Sequence, residues 1–418
     1  IVVQNALRGI YLTDNRNAVV ERILARSNTY GVVLSSTVGV TNRNLRLWNN
    51  SRGILLSGAR TTVTENCTFV GNSTYGYSVE GSVISNVLQN SIFYVVDSNS
   101  VALAGQSNII WNSFIDYNIY YFVDPSPSST IYEGYTDIKN WQLNERHDFR
   151  SAITNPLFAN VNGGDFHLQS TVGRYVDGSG WTTDAQDSWG IDRGNPLSDN
   201  STEPEVRGNR INIGAYGGTE HASMGSTDVV VYARTLNDPT PISETNSYWP
   251  LIWTVQNVPP GETVSVQFSG DGGVTWYTLA SGLNAYTEYA LWLATPFFNT
   301  YRGYWRVVGE SNTNYWDAND APFEIFYGEF AITRMTEFAN RTTIRWRGAW
   351  DERYQVQYST NLSLTNAVSG WMNAPTGAAP FQIPYFLSTN GGDFFYDDVR
   401  STNNFYRFYR VQWITNAP

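Results

Sequence analysis

The chain has 418 residues, 41% of them hydrophobic and 15% aromatic, which is enough for two or three domains with cores of their own. Only 15% of residues are charged, Lys139 is the sole lysine among 26 basic residues, and the net charge of −11 makes nucleic acid and anionic lipid poor partners. No apolar run approaches the roughly 18 residues of a membrane-spanning helix, and the single cysteine, Cys67, excludes an internal disulfide framework.

The first half of the chain is a ladder of near-repeats. Gly9-Ile-Tyr-Leu, Gly31-Val-Val-Leu, Gly53-Ile-Leu-Leu and Gly76-Tyr-Ser-Val begin 22, 22 and 23 residues apart, and Ser100-Val-Ala-Leu follows after 24. A unit this short cannot bury its own apolar face, so it must stack on its neighbours as a solenoid. Ile10, Val32, Ile54, Tyr77 and Val101 form one column, and Leu12, Leu34, Leu56, Val79 and Leu103 another two positions on, both on one face of a short strand. A second ladder starts at Asn44, Asn66, Asn90 and Asn112, with Arg22 in the same slot one repeat earlier. It places Leu45, Cys67, Ser91 and Ser113 inward, with Leu47, Phe69, Phe93 and Ile115 two residues later. The asparagines suit bends where their amides bond the same group in adjacent coils. The glycines suit the other bends, as positions of positive φ. β-branched alternation and regular turn residues, with almost no Ala, Lys or Glu, argue against a helical repeat. Cys67 reads as a small core residue rather than a reactive thiol.

This ladder resembles the right-handed parallel β-helix repeat proteins secreted by bacteria. The likeness continues through Asp116-Tyr-Asn-Ile-Tyr-Tyr, Trp141, Asn155-Pro-Leu-Phe and Gly163-Gly-Asp-Phe-His-Leu, which look like closing coils. It extends to Gly190-Ile-Asp-Arg-Gly-Asn-Pro and the stretch from Glu203 to Thr219, similar to the usual C-terminal signature of such proteins. That scaffold is shared by polysaccharide lyases, epimerases, adhesins and structural surface proteins, so the resemblance implies a fold and a compartment and leaves the reaction open. Because Ile1-Val-Val already reads as a buried strand with no polar cap before it, further coils in a longer precursor, or a partner covering this end, are expected.

After Tyr117 the register is lost. Pro125 and Pro127 mark a loop thrown out of the stack, and Trp141 to Phe149 is expected to form a short helix before Pro156-Leu-Phe and Phe166-His-Leu return to the coils. Asp177, Asp184, Asp187 and Asp192, interleaved with Gly178, Gly180, Trp181 and Trp189, are the candidate site in this half. The aspartates could hold a calcium ion, or serve as Asp-Gly turns and loop hydrogen bonds; Trp181 and Trp189 are the candidate ligand-binding residues. No cofactor is required by this reading, and calcium is the metal it admits.

A boundary is expected at Gly225-Ser226-Thr227, giving a β-helix over 1–227. Residues 228–328 alternate through strands such as Thr263-Val-Ser-Val-Gln-Phe and read as a β-sandwich; Phe268-Ser-Gly-Asp-Gly-Gly-Val-Thr-Trp resembles a hairpin of immunoglobulin-like modules. Residues 329–418, with Tyr354-Gln-Val-Gln-Tyr and Tyr409-Arg-Val, look like a second small C-terminal β-sandwich module. The fold class is therefore all-β, a parallel β-helix followed by two sandwiches.

Chemistry is sparse. His147, His167 and His221 are scattered, none lies in a nucleophile motif, and their spacing does not suggest a zinc site. A lyase of the pectate lyase type would need carboxylate-bound calcium and an Arg or Lys base on the outer coils; Arg22, Arg43, Arg46, Arg52 and Arg60 are available, but Asp14, Glu21, Glu65, Glu80 and Asp97 form no stacked acidic cluster. No catalytic residue is assigned. The sequons at Asn49, Asn66, Asn72, Asn200, Asn340 and Asn361 are about what an Asn-rich chain yields by chance. The reading is a secreted or cell-surface structural or adhesive protein whose partners are polysaccharide or neighbouring subunits; the alternative is a polysaccharide-degrading enzyme with accessory modules. A long outer groove of Asp, Glu and Arg would favour the enzyme.

Overall fold

A computed structural model of the chain describes residues 1–81, 84–105, 113–124, 131–132, 135, 138–237, 241–242, 247–295, 298–325, 332–338, 341–349, 353–359, 371–373, 375–376, 379–380, 392–399 and 407–414. The loop expected around Pro125 and Pro127 and the sequons at Asn340 and Asn361 lie outside these residues. The chain forms two compact units, residues 1–231 with 254–260, and residues 232–253 with 261–418.

The first unit is a parallel β-helix whose coils carry three strands each. The first coil has β1 (Val2–Gln4), β2 (Arg8–Thr13) and β3 (Val19–Glu21), and the second β4 (Leu24–Arg26), β5 (Tyr30–Ser35) and β6 (Thr41–Arg43). The third has β7 (Arg46–Trp48), β8 (Arg52–Ser57) and β9 (Val63–Glu65), the fourth β10 (Thr68–Val70), β11 (Tyr75–Glu80) and β12 (Val87–Gln89). The fifth has β13 (Ile92–Val95), β14 (Val101–Ala104) and β15 (Phe114–Asp116), and β16 (Ile119–Phe122) and β17 (Ala152–Ile153) end the stack. Three parallel sheets result, β1-β4-β7-β10-β13-β16-β17, β2-β5-β8-β11-β14 and β3-β6-β9-β12-β15.

The expected columns line the interior. Leu34 pairs in register with Leu56, and both are fully buried. In the first sheet Ala25, Leu47, Phe69, Phe93 and Tyr120 stand rung on rung. Phe69 and Phe93 stack with centroids 4.4 Å apart, and Phe93 and Tyr120 at 5.3 Å. Cys67 is fully buried among them, and burial pushes its thiol up to about 12.

The last coil corrects the register. Tyr77 pairs with Leu103 rather than Val101, and Phe93 with Tyr120 rather than Ile115, which lies instead beside Leu88 in the third sheet. The slip from Val101 to Leu103 is two residues, which keeps the same side chains inward, so alternation alone does not reveal it; the longer coil also carries Ile115 into the third sheet and brings Tyr120 over Phe93.

The bends correct a second expectation. Gly9, Gly31, Gly53 and Gly76 do not have the left-handed φ anticipated for them. A Cβ at Gly31 would lie 2.6 Å from the Gly53 carbonyl oxygen, and one at Gly53 would lie 2.4 Å from that of Gly76, so close contact between coils demands glycine. Left-handed residues occupy four other columns, which begin at Asn5, Asp14, Asn17 and Arg22 and recur in later coils as, for example, Asn44, Asn66, Asn90 and Tyr117. A buried asparagine ladder runs beside the glycines: Asn28 Nδ2 donates to Asn50 Oδ1 at 3.0 Å, and Asn50 Nδ2 to Asn72 Oδ1 at 3.2 Å. Asn66 and Asn72 are buried and use their amides internally, which leaves neither accessible as a glycosylation acceptor.

The stack is closed by α1 (Ile138–Glu145), which starts three residues before the expected Trp141. Trp141 is fully buried against the last coil, and its indole NH donates to Asp148 at 2.8 Å. The Asp148 carboxylate also accepts from Tyr120 at 2.9 Å and Asn118 at 3.3 Å. Burial, with the nearby Asp116 charge, pushes its pKa up to about 7.

Pro156-Leu-Phe and Phe166-His-Leu do not rejoin the coils as expected. They form an antiparallel hairpin, β18 (Phe158–Asn160) with β19 (Asp165–Leu168), and pack on the outside of the first sheet against Val70, Ile92 and Ile119. These outward apolar residues need a cover, and the hairpin supplies it. The signature segment, residues 190–218, runs as a strap along the coils. Asn44 Nδ2 donates to the carbonyls of Ala215 and Gly217 at 3.0 and 2.8 Å, and Asn66 Nδ2 to that of Asn212 at 2.8 Å.

The second unit is built of mainly antiparallel sheets, with one parallel pair, Pro241–Ile242 beside Phe323–Ile325. Ser247–Gln256 pairs with Tyr289–Ala294, and Thr263–Ser269 pairs with both Tyr277–Asn284 and Thr300–Gly309. Trp253, Trp305, Phe268 and Phe323 are fully buried. The hairpin at Asp271-Gly-Gly is held by the Asp271 carboxylate, which accepts from the backbone of Val274 and Thr275 at 3.1 and 2.9 Å. Further along, Arg341–Gly348 pairs with Ile332–Phe338 and Gly392–Val399, and Arg353–Ser359 with Phe408–Ile414. No sheet among the described residues mixes strands from before 326 with strands after 331.

Candidate functional site

Beyond β19 the chain makes a second small hairpin on the β-helix unit, β20 (Arg174–Val176) with β21 (Gly180–Thr182). Its tip, Asp177-Gly178-Ser179-Gly180, turns through two left-handed glycines, with φ of 75° and 85°. Tyr175 stands directly across from Trp181, and the rings meet edge to face at 5.6 Å. Tyr175 also lies flat on His221, 3.9 Å away and within 4° of parallel. Trp181 remains 44% exposed on this support.

Behind the aromatics is a chain of polar groups. His167 Nδ1 lies 2.6 Å from Asp165 Oδ1, and the imidazole stacks on Tyr216 at 3.5 Å. Burial raises the Asp165 carboxyl, but hydrogen bonds from His167, together with the His167 and Arg174 charges, outweigh it and hold the pKa below its ordinary value. Arg174 grips Asp184 with two prongs, Nε to Oδ2 at 2.8 Å and Nη2 to Oδ1 at 3.0 Å. That fork lowers the Asp184 pKa. Tyr216 meets Arg46 of the third coil, with Nη1 donating to its hydroxyl at 3.0 Å.

The four aspartates singled out by sequence take four different positions. Asp177 is exposed at the hairpin tip. Asp184 is held by Arg174, and Asp187 accepts from the Thr171 backbone at 2.6 Å and hydroxyl at 2.9 Å. Asp192 is buried, accepts from Gln256 at 3.0 Å, and has its pKa pushed up to about 6 by burial. Among the described residues no three His, Cys, Asp or Glu side chains converge as a metal-holding group. The two tryptophans also part: Trp181 faces solvent, and Trp189 packs half-buried on the cluster beneath the first hairpin.

Sequence spacing missed that two histidines share this neighbourhood. His167 and His221 flank Tyr175, at 6.1 and 3.9 Å between ring centroids, whereas His147 lies against Trp141 in the cap. The Arg174–Asp184 fork was equally hidden, since nothing local marks a pair that forms only when a hairpin closes.

Residues 1–138 match the family model described as "Periplasmic copper-binding protein (NosD)", a stretch of 138 residues in 418. No curated protein matches the chain. Copper prefers imidazole and soft sulfur donors. The matched stretch contains no histidine and no methionine, and its one cysteine is Cys67, locked in the core as a thiol. Its residues do not fit a copper site.

Proposed function

We propose that the chain is an exported, extracytoplasmic β-helix protein that works through its outer surface, holding polysaccharide on the β20–β21 hairpin without cutting it. The observation that carries this reading is the Trp181 ring, exposed and braced edge-on by Tyr175, which is itself stacked on His221. A rigid indole with an open face is what a sugar ring stacks on, at little entropic cost. The periplasmic description of the matched family supports the compartment. No helix among the described residues is long and apolar enough to cross a membrane. Adhesion to a surface glycan or to neighbouring subunits follows as the use of such a scaffold.

The enzymatic alternative finds one supporting feature, an outward row of Glu21, Arg43, Glu65, Gln89 and Asp116 on the third sheet. Its members pair with one another or with a neighbour, and among the described residues no three of its acids converge to hold the metal a lyase would need. Arg43 pairs with Glu21 at 2.6 Å, Gln89 with Glu65 at 3.1 Å, and Asp116 with Arg150 at 2.7 Å. Calcium is likewise not needed by the proposal, because Asp184, Asp187 and Asp192 are each engaged by protein donors.

The test is retention on insoluble polysaccharides, with and without a calcium chelator. Trp181→Ala is expected to reduce retention at least tenfold without changing the melting temperature, and chelation to leave it unchanged. Release of unsaturated or reducing ends from any glycan would replace this reading with the enzymatic one.

A further inference from the structure

The strap and the third sheet enclose a second feature, separate from the hairpin. Between Glu21, Arg22, Arg43 and Glu65 on the coils and Asp199 and Thr202 on the strap lies a cleft of about 280 Å³. That is close to the lower end of small-molecule sites, roughly 300 Å³. The lining has no aromatic ring and only one sizeable apolar side chain, Ile211.

We infer that this cleft binds a short neutral saccharide lying along the β-helix axis, its hydroxyls read by successive coils. Carboxylates and guanidiniums are planar and two-pronged, matching the paired hydroxyls of a sugar as acceptors and donors respectively. Here they recur at the spacing of stacked strands, about 4.8 Å, which is close to the length of one pyranose ring. Glu21, Arg43 and Glu65 are in register on consecutive coils.

The groups are also held in place before any ligand arrives. Arg43 Nε donates to Glu21 at 2.6 Å, Gln89 Nε2 donates to Glu65 at 3.1 Å, and Asn195 Nδ2 holds Gln89 at 2.9 Å. The floor is fixed by Asn44 and Asn66, whose amides are committed to strap carbonyls. At Gly217 a Cβ would fall 2.0 Å from the Asn212 carbonyl oxygen, so the wall is backbone packed on backbone. Such preorganisation lowers the ordering cost of binding.

Charge selects within the saccharides. The cleft has three carboxylates, Glu21, Glu65 and Asp199, against the two guanidiniums of Arg22 and Arg43, in a chain of net charge −11. A uronate or sulfated glycan would meet uncompensated negative charge, whereas a neutral one would not. The saccharide class rests in part on the polysaccharide reading above; the location does not.

Calorimetric titration of the full chain with cello-, xylo- and mannopentaose and with pentagalacturonate tests this. One neutral series should bind, pentagalacturonate at least tenfold more weakly, and Glu65→Gln should cost at least tenfold both in the native chain and in a Trp181→Ala chain that lacks the hairpin's indole. If Glu65→Gln lowers the melting temperature, Asp199→Asn on the strap wall should show the same loss in a normally folded chain. Tighter binding of pentagalacturonate, neutral binding indifferent to both substitutions, or no binding by any pentasaccharide would overturn the inference. In each of those cases Trp181-dependent retention on insoluble polysaccharide, if it survives, leaves the hairpin proposal standing.

Discussion

Gly53 shows how a single missing methyl can set the pitch of a solenoid. A Cβ there would sit 2.4 Å from the Gly76 carbonyl oxygen and 2.8 Å from the Phe69 ring, with backbone on one side and packed core on the other. Gly53→Ala should therefore destabilise the unit by about 2–3 kcal/mol, an overpacking cost, read as a lower denaturant midpoint. Glu203 is a residue-scale case of a different kind. Its Oε1 accepts from the backbone of Asn212 at 2.9 Å and Gly218 at 2.7 Å, and Oε2 is buried without a partner among the described residues. Burial, joined by the Asp192 charge, pushes its pKa up from 4.5 to about 8. An acid whose folded pKa is raised contributes stability that is complete below the unfolded pKa and disappears as pH rises through the folded one. The loss runs between pH 4.5 and about 8, at up to about 1.4 kcal/mol per pH unit. Glu203→Gln should flatten that slope and melt higher than the native chain at pH 9; an unchanged slope would show that the carboxyl is already ionised at neutral pH.

The strap shows what an element without regular strands can gain from a repeated surface. Asn44 and Asn66 present amides at equivalent left-handed bends of consecutive coils, and the strap carbonyls meet them. Removing both with Asn44→Ala and Asn66→Ala should leave buried carbonyls unmatched, at about 1–3 kcal/mol for each group. Hydrogen exchange should then accelerate across residues 190–218 while the coils stay protected. This element also marks the limit of what the sequence discloses. Leu34 over Leu56 was legible because period-2 alternation and a constant coil length fix both face and register. The third sheet was not, because its inward column runs Val20, Asn42, Thr64, Leu88, Ile115 and mixes polar with apolar residues. The strap contacts link positions up to 173 residues apart, where no local pattern reaches. For the candidate site, Trp181 and Asp177 could be singled out from turn chemistry, but the support of Trp181 by Tyr175 and His221 depends on a hairpin register and a distant segment.

At the scale of the whole molecule the chain divides between parallel coils and mainly antiparallel sheets. The expected boundary at 227 lies within five residues of Tyr232, where the second unit begins, although residues 254–260 group with the first unit. A fragment from residue 228 to 418 should fold alone, since Trp253, Trp305, Phe268, Phe323 and Trp346 give its sheets buried aromatic cores. Dispersed amide signals and cooperative melting would bear that out; a disordered spectrum would mean that the coils are needed to complete it.

The coil-to-coil pairing has a mechanical consequence. Every coil is joined to the next by parallel hydrogen-bond ladders in three sheets, so tension along the axis pulls on those bonds nearly end-on and loads one rung at a time. A rung that yields releases a loop of 22 residues, the usual repeat here. At roughly 3.4 Å per extended residue that is about 75 Å of slack, against about 4.8 Å of pitch lost. Under a drag that would snap a compact domain in one event, such a stack pays out chain coil by coil and dissipates work at each step. A tether fixed at one end and gripping a polymer at the other would yield in this way before it let go.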